Sequence, residues 1–96
     1  MTVLKGKTAL VTGGSRGMGA AIAQRLAADG ANVAITYQSS AERAQDVVAS
    51  LRQLGVEALA IQADAAETKD VLAAAEQVAE AFGDIDILVN NAGVFN

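Results

Sequence analysis

The 96-residue sequence predicts an α/β protein, a doubly wound parallel sheet with helices on its faces. Four short runs rich in Val, Ile and Leu show little polar alternation, as strands buried on both faces of a parallel sheet do. Three longer segments between these runs carry apolar residues at helical spacing, and each is closed by a glycine. The resulting β-α-β-α-β-α-β order implies parallel strands joined by right-handed crossovers.

The first two strand–helix units are regular. A strand at Thr8–Thr12 precedes a helix from Gly17 to Asp29, and a strand at Asn32–Thr36 precedes a helix from Ser40 to Leu54. The apolar stripe of the first helix consists of Met18, Ile22, Leu26 and interspersed alanines; that of the second consists of Ala44, Val47, Val48, Leu51 and Leu54. For the second helix, Ser39-x-x-Glu42 is a candidate capping box, and Gly30 and Gly55 are the stop signals of the two helices.

The third unit is a strand at Val56–Ile61 with a helix from Thr68 to Phe82, and a last strand follows at Ile85–Val89. Gly83 ends this helix. Its predicted stripe consists of Leu72, Ala75, Val78, Ala79 and Phe82. No linker or charge block divides the chain, so we expect one domain over residues 1–96.

Composition excludes several functions. The chain has no cysteine and no histidine, which removes disulfides, thiolate nucleophiles, cysteine-type zinc sites and the commonest general base, and we predict no metal site. A net charge of −4 argues against a nucleic-acid partner. No apolar run approaches a membrane span and no leader peptide is visible, so we expect a cytoplasmic protein without a membrane partner.

A glycine-rich turn, Thr12-Gly13-Gly14-Ser15-Arg16-Gly17-Met18-Gly19, separates the first strand from the first helix. Residues without Cβ allow a pyrophosphate to approach, and the helix N-terminus supplies N–H groups and a positive dipole end. The alternative is a tight turn without a ligand, for which two glycines would suffice. The spacing does not fit Gly-x-Gly-x-x-Gly, because counting from Gly17 and Gly19 puts Ile22 where the third glycine should be. No P-loop pattern is present either.

This turn, Thr12-Gly13-x-x-x-Gly17-x-Gly19, is similar to the cofactor signature of the short-chain dehydrogenase/reductase family, and Asn90-Asn91-Ala92-Gly93 resembles its second signature. The resemblance extends from about Leu4 to Val94. It implies a partial Rossmann-type sheet of strand order 3-2-1-4, and hydride transfer between a nicotinamide cofactor and a carbonyl or alcohol. The chain resembles in particular the NADP-dependent 3-oxoacyl-carrier-protein-reductase-like members.

The end of the second strand bears on the choice of cofactor. An NAD site usually has an acidic residue there, about 20 positions after the glycines. This sequence has Tyr37, followed by Gln38, Ser39 and Ser40, and Arg16 in the glycine turn can supply a cation. A 2′-phosphate prefers Arg and hydroxyls to a carboxylate, so we favour NADP(H) over NAD(H). The alternative is that Arg16 is a solvated loop charge and Ser39 only a helix cap.

The resemblance also implies that Asp64 lies by the adenine ring, whereas an alternative is that Asp64 caps the helix starting near Thr68. It gives Asn90 and Asn91 a mixed structural and binding role. Asp84 and Asp86 are interpreted as solvated turn residues. The predicted cofactor-binding set is Gly13, Ser15, Arg16, Gly17, Met18, Gly19, Gln38, Ser39, Ser40, Asp64, Ala65, Asn90, Asn91, Ala92 and Gly93.

Catalytic residues are not found. The family uses Ser, Asn and a Tyr-x-x-x-Lys motif, but the only tyrosine, Tyr37, is followed four residues on by Ala41. We therefore expect an N-terminal, cofactor-binding portion of an oxidoreductase that is inactive by itself. It should self-associate, or pair with the remainder of the chain, along the strand Ile85–Val89. Alternatives are a nucleotide-binding half domain without a reaction, an S-adenosylmethionine-binding sheet, which usually has an acidic residue in place of Tyr37, and a structural role.

Overall fold

Strands and helices alternate along the chain in the predicted order. The computed structural model describes residues 3–15, 17–64 and 66–91. The elements are β1 (Thr8–Thr12), α1 (Gly17–Ala28), β2 (Asn32–Tyr37), α2 (Ala41–Arg52), β3 (Ala58–Gln62), α3 (Thr68–Phe82) and β4 (Ile87–Asn90). The bounds of β1 and α3 agree with the prediction, whereas β3 and β4 begin two residues later than expected, and α2 is shorter at both ends.

The four strands form one parallel sheet in the order β3-β2-β1-β4, as predicted. β1 lies at its centre, with Ala9 opposite Val33 of β2 and opposite Ile87 of β4. Because all strands are parallel, their carboxyl ends meet at one edge of the sheet. The turns that follow β1, β2, β3 and β4 therefore begin at this same edge, where ligands bind in open α/β sheets.

One face of the sheet is covered by α1 and α2. The predicted stripe of α2 is buried up to Leu51, but Leu54 lies beyond the helix end and is 49% exposed. The predicted stripe of α1 is wrong at Met18, which is 72% exposed, but two of its interspersed alanines, Ala23 and Ala27, are buried together with Gly19. These residues are four apart and small, so the helix can lie close to the sheet. Ile22 and Leu26 pack at its flank.

The other face is covered by α3 alone among the described helices. Ala74 and Val78 are buried here and pack with Leu10 and Ala34 of the central strands. Ala75 and Phe82 are partly buried against the same cluster, as the predicted stripe requires. Two of its members are wrong, because Leu72 is 61% exposed and Ala79 is also exposed. Ala74 takes the central position instead.

The predicted capping box is also wrong. The N-cap residue of α2 is Ser40, one position later than the box requires, and no side-chain cap hydrogen bond forms there. The predicted end of the third helix is confirmed. Gly83 is the C-cap residue of α3, and its N–H donates to the Ala79 carbonyl.

Two further findings concern the described ranges as a whole. None of their helices is both long enough and apolar enough to cross a membrane. Within the same ranges, no three His, Cys, Asp or Glu side chains come together in a way that could hold a metal ion.

Candidate cofactor site

The glycine turn between β1 and α1 lies at the carboxyl edge of the sheet. Gly13 and Gly17 both have positive φ, 68° and 60°. L side chains rarely adopt this conformation, so these two glycines satisfy a backbone requirement. At both positions the backbone conformation would strain a side chain. At Gly17 crowding is not the reason, since an added Cβ would meet nothing within 4 Å.

The other two glycines of the turn satisfy a requirement for space. A Cβ on Gly14 would lie 2.5 Å from Ile35 Cγ2 and 2.7 Å from Ile35 Cβ. A Cβ on Gly19 would collide with the Gly13 carbonyl oxygen and lie 2.7 Å from Asn91 Nδ2. All four glycines are thus needed for this backbone shape, which is more than a tight turn alone demands.

Hydrogen bonds from both neighbouring strands hold the turn. The Gly13 N–H donates to Thr36 Oγ1 at 3.1 Å, and the Gly14 N–H donates to the Thr36 carbonyl at 3.1 Å. On the opposite side, Asn91 Nδ2 donates to the Gly13 carbonyl at 3.3 Å. Thr36 was not among the predicted site residues. The signal that could have indicated it is a hydroxyl residue near the end of an otherwise apolar strand, facing the glycine turn.

The two asparagines lie beside the turn, as expected from their place after the last strand. The Thr12 hydroxyl donates toward Asn90 Oδ1 at 3.2 Å and the Val89 carbonyl at 3.3 Å. Asn90 therefore connects β4 to β1, and Asn91, the residue after β4, is connected to the glycine turn. The expected structural part of their role is confirmed for both side chains.

The remaining predicted residues of the turn differ in exposure. Ser15 is 8% exposed, whereas Gly17 and Met18 are open to solvent. Met18 therefore contributes little to the core. Arg16, Ala65, Ala92 and Gly93 lie outside the described residues.

The segment after β2 lies next to the glycine turn, because β2 neighbours β1. Gln38 and Ser39 are exposed, and Ser40 is half-buried. The segment is held from β3: Gln62 Nε2 donates to the Gln38 carbonyl at 3.1 Å, and the Ala63 N–H donates to the Tyr37 carbonyl at 2.9 Å. Residues 37–40 present hydroxyl and amide groups and no carboxylate.

Asp64 lies half-buried in the turn after β3. Its Oδ1 accepts from the Ala66 N–H at 2.9 Å, and its own N–H donates to Asp70 Oδ2 at 2.9 Å. The alternative that Asp64 caps α3 is wrong, because the N-cap residue is Glu67. Asp64 instead shapes the turn, at the edge of the sheet where the glycine turn also lies.

Asp86 corrects another expectation, since it is more than a solvated turn residue. Its Oδ2 accepts from the Thr8 N–H at 2.9 Å, and the Asp86 N–H donates to the Thr8 carbonyl at 2.9 Å. These two bonds join the start of β4 to the start of β1, at the end of the sheet away from the candidate site. The role they support is structural. Asp84 is exposed, as expected.

Comparison with known proteins identifies the class to which this fold and turn belong. Residues 7–96 match the sequence profile of the family described as short chain dehydrogenase. The chain therefore belongs to the short chain dehydrogenase family, and the S-adenosylmethionine-binding alternative is wrong.

Individual relatives agree with this assignment. The chain is 49% identical over 88 residues to the 3-oxoacyl-[acyl-carrier-protein] reductase FabG of Staphylococcus aureus, covering 92% of this chain and 36% of that protein. It is similar, with a TM-score of 0.92 and 69% identity, to a crystal structure of a short chain dehydrogenase from Burkholderia cenocepacia in complex with NADP, covering 97% of this chain and 38% of that one.

A second solved structure has the same TM-score, 0.92, at 54% identity: a blue fluorescent protein from a metagenomic library in complex with NADPH, with 97% of this chain and 38% of that one covered. The chain thus spans between 36% and 38% of the length of these relatives.

Proposed function

We propose that this chain is the dinucleotide-binding part of an oxidoreductase that transfers hydride between NADP(H) and a carbonyl or alcohol substrate. The observation that carries the proposal is the glycine turn. Its four glycines are each required by backbone conformation or by space, and it lies at the carboxyl edge of a parallel sheet, in front of a helix. Family membership supports the same function.

The binding role follows from the turn's chemistry. The first N–H groups of α1 have no partner within the helix, and with the helix dipole they favour an anionic group. The pyrophosphate would lie against residues 15–19, with the exposed Met18 beside it. Asp64 would accept from the adenine amine, and the backbone after Asn91 would line a ribose. The bound cofactor would supply the hydride.

NADP(H) is proposed over NAD(H) because of the segment after β2. Gln38, Ser39 and Ser40 lie beside the turn that carries Arg16, and residues 37–40 include no carboxylate to repel a 2′-phosphate. The complexes of two similar structures with NADP and NADPH support this choice.

We propose no catalytic residue within this chain. In this family the proton donor belongs to a Tyr-x-x-x-Lys motif, and the one tyrosine, Tyr37, lacks that motif and is partly buried against the core under α1 and α2. Residues 1–96 would then bind the cofactor, and the reaction would need further residues. The second candidate is a nucleotide-binding half domain without any reaction.

The proposed partners follow from β4. This strand is at the end of the strand order, and Leu88 is 58% exposed on the face covered elsewhere by α3, whereas every residue of β1 is buried. Strand edges of this kind pair with further strands. We therefore infer self-association, or pairing with the remainder of the chain, along β4. The cytoplasmic location expected from the sequence stays a prediction.

The experiment that tests the cofactor assignment is a titration of the purified protein with NADPH and NADH, for the native sequence and for Arg16→Ala. A charge-assisted hydrogen bond contributes about 1.5–3 kcal/mol, so NADPH affinity should fall by about 10- to 150-fold while NADH affinity changes little. Arg25→Ala is the matched control, because it removes an exposed arginine paired with Asp29 at the far end of α1.

Equal losses for both cofactors would contradict the NADP(H) assignment. Binding of neither cofactor by the native protein would contradict the proposed function altogether. A carbonyl-reduction assay on the same material tests an expectation that the two candidates share, because neither gives residues 1–96 a catalytic residue. Turnover by this chain would contradict both.

A further inference from the structure

We infer that Thr36 is a positioning residue for the candidate site. From the end of β2 it holds the first two peptide groups of the glycine turn and so determines where the following N–H groups point. The inference rests on the proposed dinucleotide-binding function, since those N–H groups are the ones that would receive the pyrophosphate.

The hydroxyl of Thr36 makes a bond that the sheet itself does not supply. The paired residues of β1 and β2 end at Val11 and Ile35. One step further, the Thr36 hydroxyl accepts from the Gly13 N–H at 3.1 Å and the Thr36 carbonyl accepts from the Gly14 N–H at 3.1 Å. Any residue at position 36 could supply the carbonyl, but the bond to Gly13 requires a side-chain oxygen.

Gly13 is the residue in this turn that most needs such restraint. It has no side chain and a φ of 68°, so its backbone dihedral angles can change at little energetic cost. Thr36 holds its N–H, and Asn91 Nδ2 holds its carbonyl at 3.3 Å. Its peptide groups are thus fixed between β2 and the residue after β4, and a rotation there would displace every later residue of the turn.

The same bonds show which donors remain for a ligand. The N–H groups of Gly13 and Gly14 are already used by Thr36, so a phosphate must be received from Ser15 onward, at the start of α1. Thr36 is 2% exposed and cannot touch the ligand itself. Its effect on binding must pass through the turn.

The test compares Thr36→Val with Thr36→Ser in the purified protein. Valine keeps the shape but removes the acceptor, whereas serine keeps the oxygen. We expect Thr36→Val to weaken NADPH binding about tenfold, the equivalent of about 1.4 kcal/mol, and Thr36→Ser to bind within about twofold of the native protein. Thr8→Val is the matched control: Thr8 is also 2% exposed, and its hydroxyl donates to the Phe82 carbonyl at 3.4 Å, at the other end of β1.

A second measurement needs no ligand. By NMR hydrogen exchange, the Gly13 amide should exchange faster in Thr36→Val than in the native protein, and Thr36→Ser should restore its protection. The Gly14 amide should stay protected in all three, because its acceptor is backbone. A general loss of stability would instead raise exchange at both amides, and thermal unfolding of Thr36→Val, compared with that of Thr8→Val, measures that loss.

NADPH affinity in Thr36→Val equal to that in Thr8→Val overturns the inference, as does unchanged exchange at Gly13. If the native protein binds no NADPH, the proposed function fails, and the exchange rates still decide whether Thr36 holds the turn.

Discussion

Gly19→Ala adds one methyl group where the structure has no room for it. The new Cβ would collide with the Gly13 carbonyl oxygen, lie 3.0 Å from the Gly13 carbonyl carbon and lie 2.7 Å from Asn91 Nδ2. Two of these atoms are backbone atoms of a turn that is held by Thr36 and Asn91. The strain therefore cannot be relieved by moving the end of a flexible side chain.

The magnitude follows from three contributions. Overpacking of a filled space costs about 1–3 kcal/mol. Loss of the hydrogen bond between Asn91 and Gly13 adds about 0.5–1.5 kcal/mol. Alanine is the better helix former in α1 by about 0.8–1.0 kcal/mol, which offsets part of the loss. We expect the free energy of unfolding to fall by about 2 kcal/mol.

The assay is urea denaturation monitored by circular dichroism, in which substitutions at Gly17 are compared with the same substitutions at Gly19. Gly17 has φ of 60° but free space around an added Cβ, so its constraint is conformational. Asparagine tolerates this conformation better than alanine. The Gly17→Asn protein should therefore have a higher free energy of unfolding than the Gly17→Ala protein. At position 19, where any Cβ collides, the larger side chain should make the Gly19→Asn protein less stable than the Gly19→Ala protein.

The same ranking at both positions, or a Gly19→Ala protein as stable as the native one, would refute this division of the glycines into two kinds. Either result would mean that the turn relaxes at little cost, and that the close contacts of Gly19 do not determine the shape of the candidate site.

Two further predictions concern β4. Asp86→Ala removes the acceptor of the buried Thr8 N–H and should lower the free energy of unfolding by about 1–3 kcal/mol in the same assay, while the exposed Asp84→Ala should change it by less than about 0.5 kcal/mol. Equal effects of the two would show that the bond to Thr8 is not needed. Leu88→Lys places a charge on the exposed strand and should shift the protein toward monomer in sedimentation velocity, whereas Leu54→Lys, at another exposed leucine, should not. A native protein that is monomeric at high concentration would contradict self-association along β4.

Much of the fold could be predicted because it depends on local patterns. Runs such as Thr8–Thr12 are apolar on both faces, and helix stops at Gly30, Gly55 and Gly83 need only one residue each. With the resemblance, these patterns led to the confirmed strand order. They also placed the candidate site, since the glycine turn follows a strand and precedes a helix.

The parts that could not be predicted depend on contacts between distant residues. Thr36 lies 23 positions from Gly13, and Asp86 lies 78 positions from Thr8. A hydroxyl residue near the end of an apolar strand marks Thr36 as a candidate but does not identify its partner, and nothing in the pattern around Asp86 distinguishes a bonded side chain from a solvated one. Only the pairing of β2 and β4 with β1 brings these groups together.

The order of elements, the parallel sheet and the location of the glycine turn could be predicted from short segments, because periodicity and glycine placement are local properties. Which residues of α1 lie closest to the sheet depended on the packing of the helix. Of the large apolar residues Met18 is exposed, and Ile22 and Leu26 pack only at the flank of the helix, whereas Gly19 and the interspersed Ala23 and Ala27 face the sheet. The smaller residues let the helix approach β1 and the turn more closely, and at Gly19 that approach leaves no space even for a methyl group.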